Sequence, residues 1–317
     1  MVTKEQVGGN NKTAFLFPGQ GAQYPGMGRD FYDRFPEARS VFDRAAAVLG
    51  PQIVDVIFSG PEEKLQQTEY AQPAILTVGV AIFNVLTNLG FKAEGLAGLS
   101  LGEYSALVAA GSISFDDALL LVQKRGIYMQ EAVPLGKGTM AAVMGLPHEE
   151  VEQICFKAQS KGFVAPANYN CPGQTVISGY KTGVKYAVQL ARETGAKRVT
   201  ELRVSAPFHC ALLVPVEEKI ARELDKIEIK KASVPIVSNV SAQFVENPEQ
   251  IKHNLTAQVS NPILWEQSIR CMISAGIDSF IGIGPGNSPS RLMKRIAPEL
   301  RTFPVEKVKE IDPLLEN

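Results

Sequence analysis

The pentapeptide Gly98-Leu99-Ser100-Leu101-Gly102 constrains this chain more than any other stretch. It closes a short apolar run, "EGLAG" at 94–98, and opens a helical one, "GEYSALVAAG" at 102–111. A serine flanked at two residues on both sides by glycine fits a turn where a strand doubles into a helix so sharply that larger side chains would collide. Such a turn presents the serine oxygen at a helix start, where free N–H groups can face a developing oxyanion. The pattern reads as a nucleophile on a strand–turn–helix. The other reading is a glycine-rich packing turn with Ser100 as the helix N-cap.

The surrounding chain alternates strands and helices, which argues for a parallel α/β sheet. "KTAFLFPG" (12–19) reads as a strand ended by Pro-Gly. "FPEARSVFDRAAAVLG" (35–50) and "AQPAILTVGVAIFNVLTNLG" (71–90) read as helices stopped by glycine, the second of them buried. "SFDDALLLVQKRGIYMQEAV" (114–133) carries a Ser N-cap and acids in its first turn, a helix start. After 133 the pattern changes. Strand-like 139–146, helical 147–162, strand-like 163–170 and 174–180, helical 181–196 and strand-like 197–205 spell βαββαβ, a ferredoxin-like unit. It divides a larger domain, 12–133 and 206–317, as an insertion at 134–205. Helical structure is expected to resume over 206–227, and strands over 235–240 and 279–286. Residues 1–11 read as a disordered leader.

Formal net charge is −1, and 21% of residues are charged, so bulk charge gives no reason to expect nucleic acid or a membrane surface as partner. No apolar run is expected to approach the roughly 20 residues that span a bilayer. Cys155, Cys171, Cys210 and Cys271 are scattered, with no CxxC or Cys/His cluster, so they read as free thiols of a cytoplasmic protein and not as a zinc site.

A serine nucleophile needs a base. His148 lies in "LPHEEVEQ", an acidic helix start expected to be solvated, and His253 in the polar "NPEQIKHNL". His209 lies in "VSAPFHCALLV", apolar and at a proline turn, which suits a base whose orientation must be fixed. Without the serine motif His209 would read as a core histidine. Arg125, inside "LLLVQKRGIYM", reads on its own as either a solvated helix residue or a buried anion partner. "GQGAQYPGMG" has Tyr24 where a dinucleotide loop would place its third glycine.

"FPGQGAQYPGMG", "GLSLGEYSALVAAG", "QKRGIYMQEAVPLGKGTMAAV", "NYNCPGQTVISG", "APFHCAL" and "IGPG" occur in the order seen in malonyl-CoA:acyl carrier protein transacylases, and the chain resembles that family from about Thr13 to Arg295. The resemblance implies an α/β-hydrolase-like large domain with an inserted ferredoxin-like small domain. It implies Ser100 as the acylated nucleophile, His209 as its base, and the backbone N–H groups of Gln20 and Leu101 as oxyanion donors. Arg125 would meet the free carboxylate of malonate. The main-chain carbonyl of Gln258 would hold the second imidazole nitrogen. Gln72, Leu99, Met129, Asn168, Asn170 and Phe208 match positions near the acyl pocket. The family usually has His where Leu99 stands, which bears on polarity beside the acyl group. Phe208 matches the aromatic residue of malonyl-selective members.

The partners so implied are malonyl-CoA and an acyl carrier protein, with no metal or redox cofactor and a monomeric enzyme. Carrier proteins are acidic, so docking is expected on Lys181, Lys185, Arg192, Lys197 and Arg198, or else on Arg291, Lys294 and Arg295. The alternatives are a carrier-protein thioesterase using the same Ser–His pair, and a docking module without catalysis.

Overall fold

The computed structural model describes residues 12–315 apart from Leu135, Arg203 and Ser205; the leader read at 1–11 lies outside the described residues. Among these, ten strands form two sheets. The larger sheet contains β1 (Lys12–Phe17), β2 (Gly95–Gly98), β7 (Ile236–Val237), β8 (Phe244–Val245), β9 (Ile277–Ile283) and β10 (Arg301–Val305). Their order is β10-β9-β1-β2-β7-β8, parallel throughout except for the β7–β8 pair at one edge. Along β1, Phe15 and Phe17 enter one apolar cluster and Ala14 and Leu16 a second, on the opposite face of the sheet. A strand buried on both faces has no polar side to show, so the run is continuously apolar instead of alternating.

The smaller sheet contains β3 (Gly138–Met144), β4 (Val164–Cys171), β5 (Gln174–Tyr180) and β6 (Arg198–Glu201), ordered β4-β5-β3-β6 and antiparallel. The helices His148–Ala158 and Lys181–Glu193 pack on it through an apolar cluster of their own. The fold is thus an α/β-hydrolase-like unit with a parallel sheet, accompanied by a ferredoxin-like βαββαβ unit. The two are stitched together where Tyr169 N–H donates to Ile263 O (2.9 Å) and Ile263 N–H to Ala167 O (2.9 Å). Gly138 also abuts Pro207, where a Cβ on the glycine would lie 2.3 Å from the ring.

Several sequence expectations need correction. Residues 206–227 are not helical throughout: the helix is Val214–Leu224, preceded by a short turn at Ala211–Leu213, and His209 lies in an irregular segment with φ 57°. The apolar helix around 71–90 is Thr68–Asn88, 21 residues, long and apolar enough to cross a bilayer, contrary to the expectation of no such run. It is instead a core helix, with 78% of its most apolar window buried inside the protein. Its Gly79 faces Phe17 and Ser105 at van der Waals distance, so it lies directly on the sheet and on the helix after Ser100. Helices Pro248–Gln258, Trp265–Ser274 and Ser288–Ile296, and the edge strand β10, were not read from the sequence.

The Gly98–Gly102 spacing has its physical cause in the contact distances. A Cβ on Gly98 would lie 1.8 Å from the Gly102 carbonyl carbon, and one on Gly102 would lie 2.4 Å from Phe17 O. These are backbone atoms that cannot rotate away. Gly98→Ala is therefore expected to cost about 3 kcal/mol or more, at or above the upper end for overpacking. Gly111→Ala, at φ 68° with open space around the site, should cost only about 1 kcal/mol from backbone strain. Denaturant unfolding of the two variants checks the contrast.

Candidate active site

Ser100 occupies the turn between β2 and the helix Leu101–Ala109 with φ 53° and ψ −101°, a combination that non-glycine residues rarely adopt. Its side chain makes no N-cap hydrogen bond, which sets aside the packing-turn reading. The hydroxyl oxygen instead lies 2.7 Å from His209 Nε2 and 3.1 Å from Arg125 Nη2. Leu101 is the first residue of the helix, where amide N–H groups lack intrahelical partners. The loop carrying Gln20 packs against the same turn: a Cβ on Gly19 would lie 2.5 Å from Leu99 O, and Leu99 N–H donates to Phe17 O (3.0 Å). The Gln20 side chain points elsewhere, donating to Thr68 Oγ1 (3.2 Å).

His209 is 4% exposed, and its Nδ1 lies 2.8 Å from Gln258 O. A carbonyl only accepts, so Nδ1 carries the proton and Nε2 is free to accept. Arg125 only donates, so Ser100 Oγ accepts from it and the serine proton is left to point at Nε2. Proton positions are thereby fixed in series from the guanidinium through the hydroxyl to the imidazole and the carbonyl. Burial, helped by the Arg125 charge, lowers the His209 pKa to about 3, so the resting imidazole is neutral and ready to take a proton. The arrangement can make Ser100 a nucleophile without an acid behind the histidine.

Arg125 is 1% exposed, on the helix Phe115–Glu131. Its Nη1 donates to Gln72 Oε1 (2.8 Å) and its Nη2 to Gln258 Oε1 (2.8 Å), and its guanidinium lies 5.3 Å from the Tyr104 ring centroid. Burial works against its charge. Gly126 allows this approach, since any Cβ there would lie 2.7 Å from Thr68 O at the start of the helix that carries Gln72. Its direct partners are thus neutral oxygens and a ring, an arrangement that holds a cation and leaves it to be neutralised by an incoming anion.

The structure unites Ser100, His209, Arg125, Gln72 and Gln258 in one hydrogen-bonded cluster. Met129, one turn beyond Arg125, and Phe208, beside His209, belong to the main apolar cluster. Leu99 is half-buried and packs against the second cluster on the far face of the sheet. Asn168 and Asn170 lie on β4, nearly buried, with Asn168 bridged to Ile263 and the Asn170 side-chain oxygen lacking a protein partner. His148 is not solvated as expected: it lies 2.6 Å from Thr175 Oγ1 and 3.0 Å from Glu266 Oε2, tying the two units together and making no bond to Ser100 among these. His253 is exposed. Among the described residues, no cluster of three or more His, Cys, Asp or Glu forms a metal site.

Two participants were missed. Asn239 is fully buried; its Oδ1 accepts from Ser100 N–H (2.6 Å) and its Nδ2 donates to Gly98 O (2.7 Å). Glu103 is 3% exposed and accepts from Gln258 Nε2 (2.6 Å) and Asn239 N–H (3.2 Å). The only sequence signal for Asn239 was its place near the end of an expected strand, 235–240; Glu103 was visible as an acid inside an apolar helix. Asn239→Ala would strip two buried backbone groups of the turn, each worth about 1–3 kcal/mol when left unpaired. The expected outcome is a lower melting temperature together with slower acylation of Ser100, read by thermal unfolding and by labelling with an acyl thioester.

The strand–turn–helix serine, the buried histidine and the inserted small sheet define an acyltransferase on an α/β-hydrolase-like fold, and residues 14–299 match the acyl transferase domain model. The chain is 46% identical over 303 residues to the malonyl CoA-acyl carrier protein transacylase of Bacillus subtilis, covering 95% of this chain and 96% of that one. It superposes on the malonyl CoA-acyl carrier protein transacylase of Clostridium perfringens with TM-score 0.93 and 44% identity, over 96% of both chains. A malonyl-transacylase solved in complex with its type II polyketide synthase acyl carrier protein matches with TM-score 0.94 and 40% identity, over 97% of this chain and all of that one. The chain belongs to the malonyl-CoA:acyl carrier protein transacylase family.

Proposed function

We propose that this enzyme moves a malonyl group from malonyl-CoA to the phosphopantetheine thiol of an acyl carrier protein, in ping-pong fashion through a malonyl ester on Ser100. The observation that carries this reading is a buried cation bonded to the nucleophile itself: Arg125 Nη2 lies 3.1 Å from Ser100 Oγ. A carboxylate two bonds from the attacked carbonyl would find that guanidinium beside it. The related transacylases named above support the same substrate pair.

His209 takes the hydroxyl proton as Ser100 Oγ attacks the thioester carbon. The N–H groups of Gln20 and Leu101 face the tetrahedral oxyanion. CoA leaves as a thiol with the proton from His209, and the carrier thiol then repeats the sequence on the malonyl ester. No step calls for a metal or a redox cofactor. One chain carries the whole constellation, which supports a monomer, and the four unpaired thiols support a reducing, cytoplasmic setting. Use in fatty-acid or polyketide synthesis rests on the same chemistry.

The carrier-protein surface follows from where the basic residues lie. The two stretches offered as alternatives converge: Lys197, just before β6, Arg198 at its start and Arg295 from the Ser288–Ile296 helix line one cavity of about 760 Å³, joined by Arg270. Lys181, Lys185, Arg192, Arg291 and Lys294 are exposed as well. An acidic partner would gain most where both units contribute cations. Arg198→Glu with Arg295→Glu is expected to raise KM for the carrier protein while Ser100 still loads from malonyl-CoA.

Mass spectrometry after mixing with malonyl-CoA tests the reaction. A malonyl adduct in wild type, lost in Ser100→Ala and passed to a carrier thiol, is expected. Rapid release of free malonate would point to a hydrolase, and no adduct at all to a docking module. Arg125→Ala should lower kcat/KM for malonyl-CoA by about a hundredfold or more, since a buried partner of a charge is typically worth about 3 kcal/mol when removed. Acetyl-CoA should suffer much less, and Arg125→Lys should recover only part of the loss because a point charge lacks the two-pronged contact. Equal losses for both substrates would make Arg125 structural.

A further inference from the structure

Glu103 lies one turn beyond the nucleophile, with its carboxylate behind the cluster and no contact to Ser100 Oγ among its hydrogen bonds. One oxygen, Oε2, accepts from both Gln258 Nε2 (2.6 Å) and Asn239 N–H (3.2 Å). Each of those residues holds a different part of the site. Asn239 fixes the serine turn through Ser100 N–H and Gly98 O. Gln258 gives its side-chain oxygen to Arg125, its side-chain nitrogen also to Ser100 O (3.1 Å), and its main-chain carbonyl to His209.

A carboxamide can face either way, and the choice decides what Arg125 meets. With the NH₂ inward, Gln258 presents an acceptor to the guanidinium; flipped, it would set donors against donors. An ionised carboxylate accepts only, so it holds the NH₂ inward by a charge-assisted bond. We infer that Glu103 is a positioning residue for acyl selectivity: by orienting the Gln258 amide it sets the Arg125 guanidinium for an acyl group that carries a carboxylate. This rests on the malonyl-transfer reading above.

The proposal gives the site its own pH dependence. Burial raises the Glu103 pKa to about 7, against the pull of its hydrogen bonds and of Arg125. The groups around it are Arg125 on the Phe115–Glu131 helix, Tyr104 on its own helix, and the uncharged Gln258, Asn239 and Ser238, with His209 reached only through Gln258. Tyr104 is pushed up to about 12 and His209 down to about 3, and Arg125 stays charged, so Glu103 is the member of this set that titrates near neutrality. Loss of its charge as pH falls through about 7 should weaken the hold on Gln258.

The experiment measures the acylation half-reaction of wild type, Glu103→Gln, Gln258→Met and the double variant, with malonyl-CoA and acetyl-CoA, from pH 5.5 to 8.5. In wild type the malonyl-to-acetyl ratio of kcat/KM is expected to drop about tenfold as pH falls through 7, the loss expected when a charge-assisted bond becomes a neutral one. Glu103→Gln should show the low ratio at every pH, with the loss mostly in KM for malonyl-CoA, and Glu103→Asp should recover part of it. In the Gln258→Met background, Glu103→Gln should change the ratio no further, because the effect runs through that amide. A ratio that is flat with pH in wild type, or unchanged or raised by Glu103→Gln, overturns the inference while leaving malonyl transfer intact. If Glu103→Gln does not fold, the wild-type pH profile alone decides. Failure of wild type to acquire malonate on Ser100 overturns both.

Discussion

Ser100 holds a backbone conformation that costs about 1–3 kcal/mol and persists only where the surroundings determine it. Here three glycines and an asparagine do so. Gly98 and Gly102 let strand and helix touch at backbone distance, Gly19 lets the preceding loop close over the turn, and Asn239 pairs with the two backbone groups that the turn leaves open. The central strands β1 and β2 supply the rigid frame, since Leu99 N–H bonds back to the end of β1. Everything chemical is then hung on a hydroxyl whose position is set before any substrate arrives, which is how a site avoids reorganisation during reaction.

Gln258 distributes that order. Its single side chain and its carbonyl touch the guanidinium, the serine carbonyl, the buried acid and the imidazole. A residue so placed makes the serine hydroxyl, the imidazole and the guanidinium members of one network, so that single substitutions there will not give additive effects. It also bears on how Arg125 tolerates burial with amides as its nearest partners: Glu103, one amide away, offsets part of the cost of burying the charge and leaves the guanidinium open to an incoming anion.

The serine turn was legible because its requirement is local: glycine spacing at a strand–helix junction can be read from five residues. The ferredoxin-like unit was legible because its elements are short, periodic and punctuated by glycine and proline. His209 emerged because only three histidines compete. The shape around His209 was not legible. The stretch "APFHCALLVPVEEK" has helical composition, yet Pro207 and the tie from His209 N–H to Val259 O (3.2 Å) hold its first part irregular, and the helix starts only at Val214. Long-range partners leave no local trace, so Asn239, 139 residues from Ser100, and the link from His148 to Glu266 were invisible. The helix Thr68–Asn88 was read rightly as buried, but its capacity to span a bilayer was missed because its apolar run is broken by polar residues that find partners in the core, Gln72 among them.

A carbonyl behind His209, where an acid might stand, has a chemical consequence. A carboxylate at Nδ1 would stabilise the imidazolium and strengthen the base; a carbonyl does so less, and the nearby Arg125 charge opposes it further. A strongly basic leaving amine would need a proton held firmly in readiness. A thiol is far less basic, with a pKa near 8.5, so a thiolate departs with little help. Exchange between two thiols through an oxygen ester asks only that the proton be borrowed and promptly returned, once in each half-reaction. A weak base that gives its proton back readily serves both directions equally. Under the proposed malonyl transfer, the neutral pair seen here is therefore matched to thioester exchange, and the cation beside it would be spent on recognising the acyl group instead of on the base.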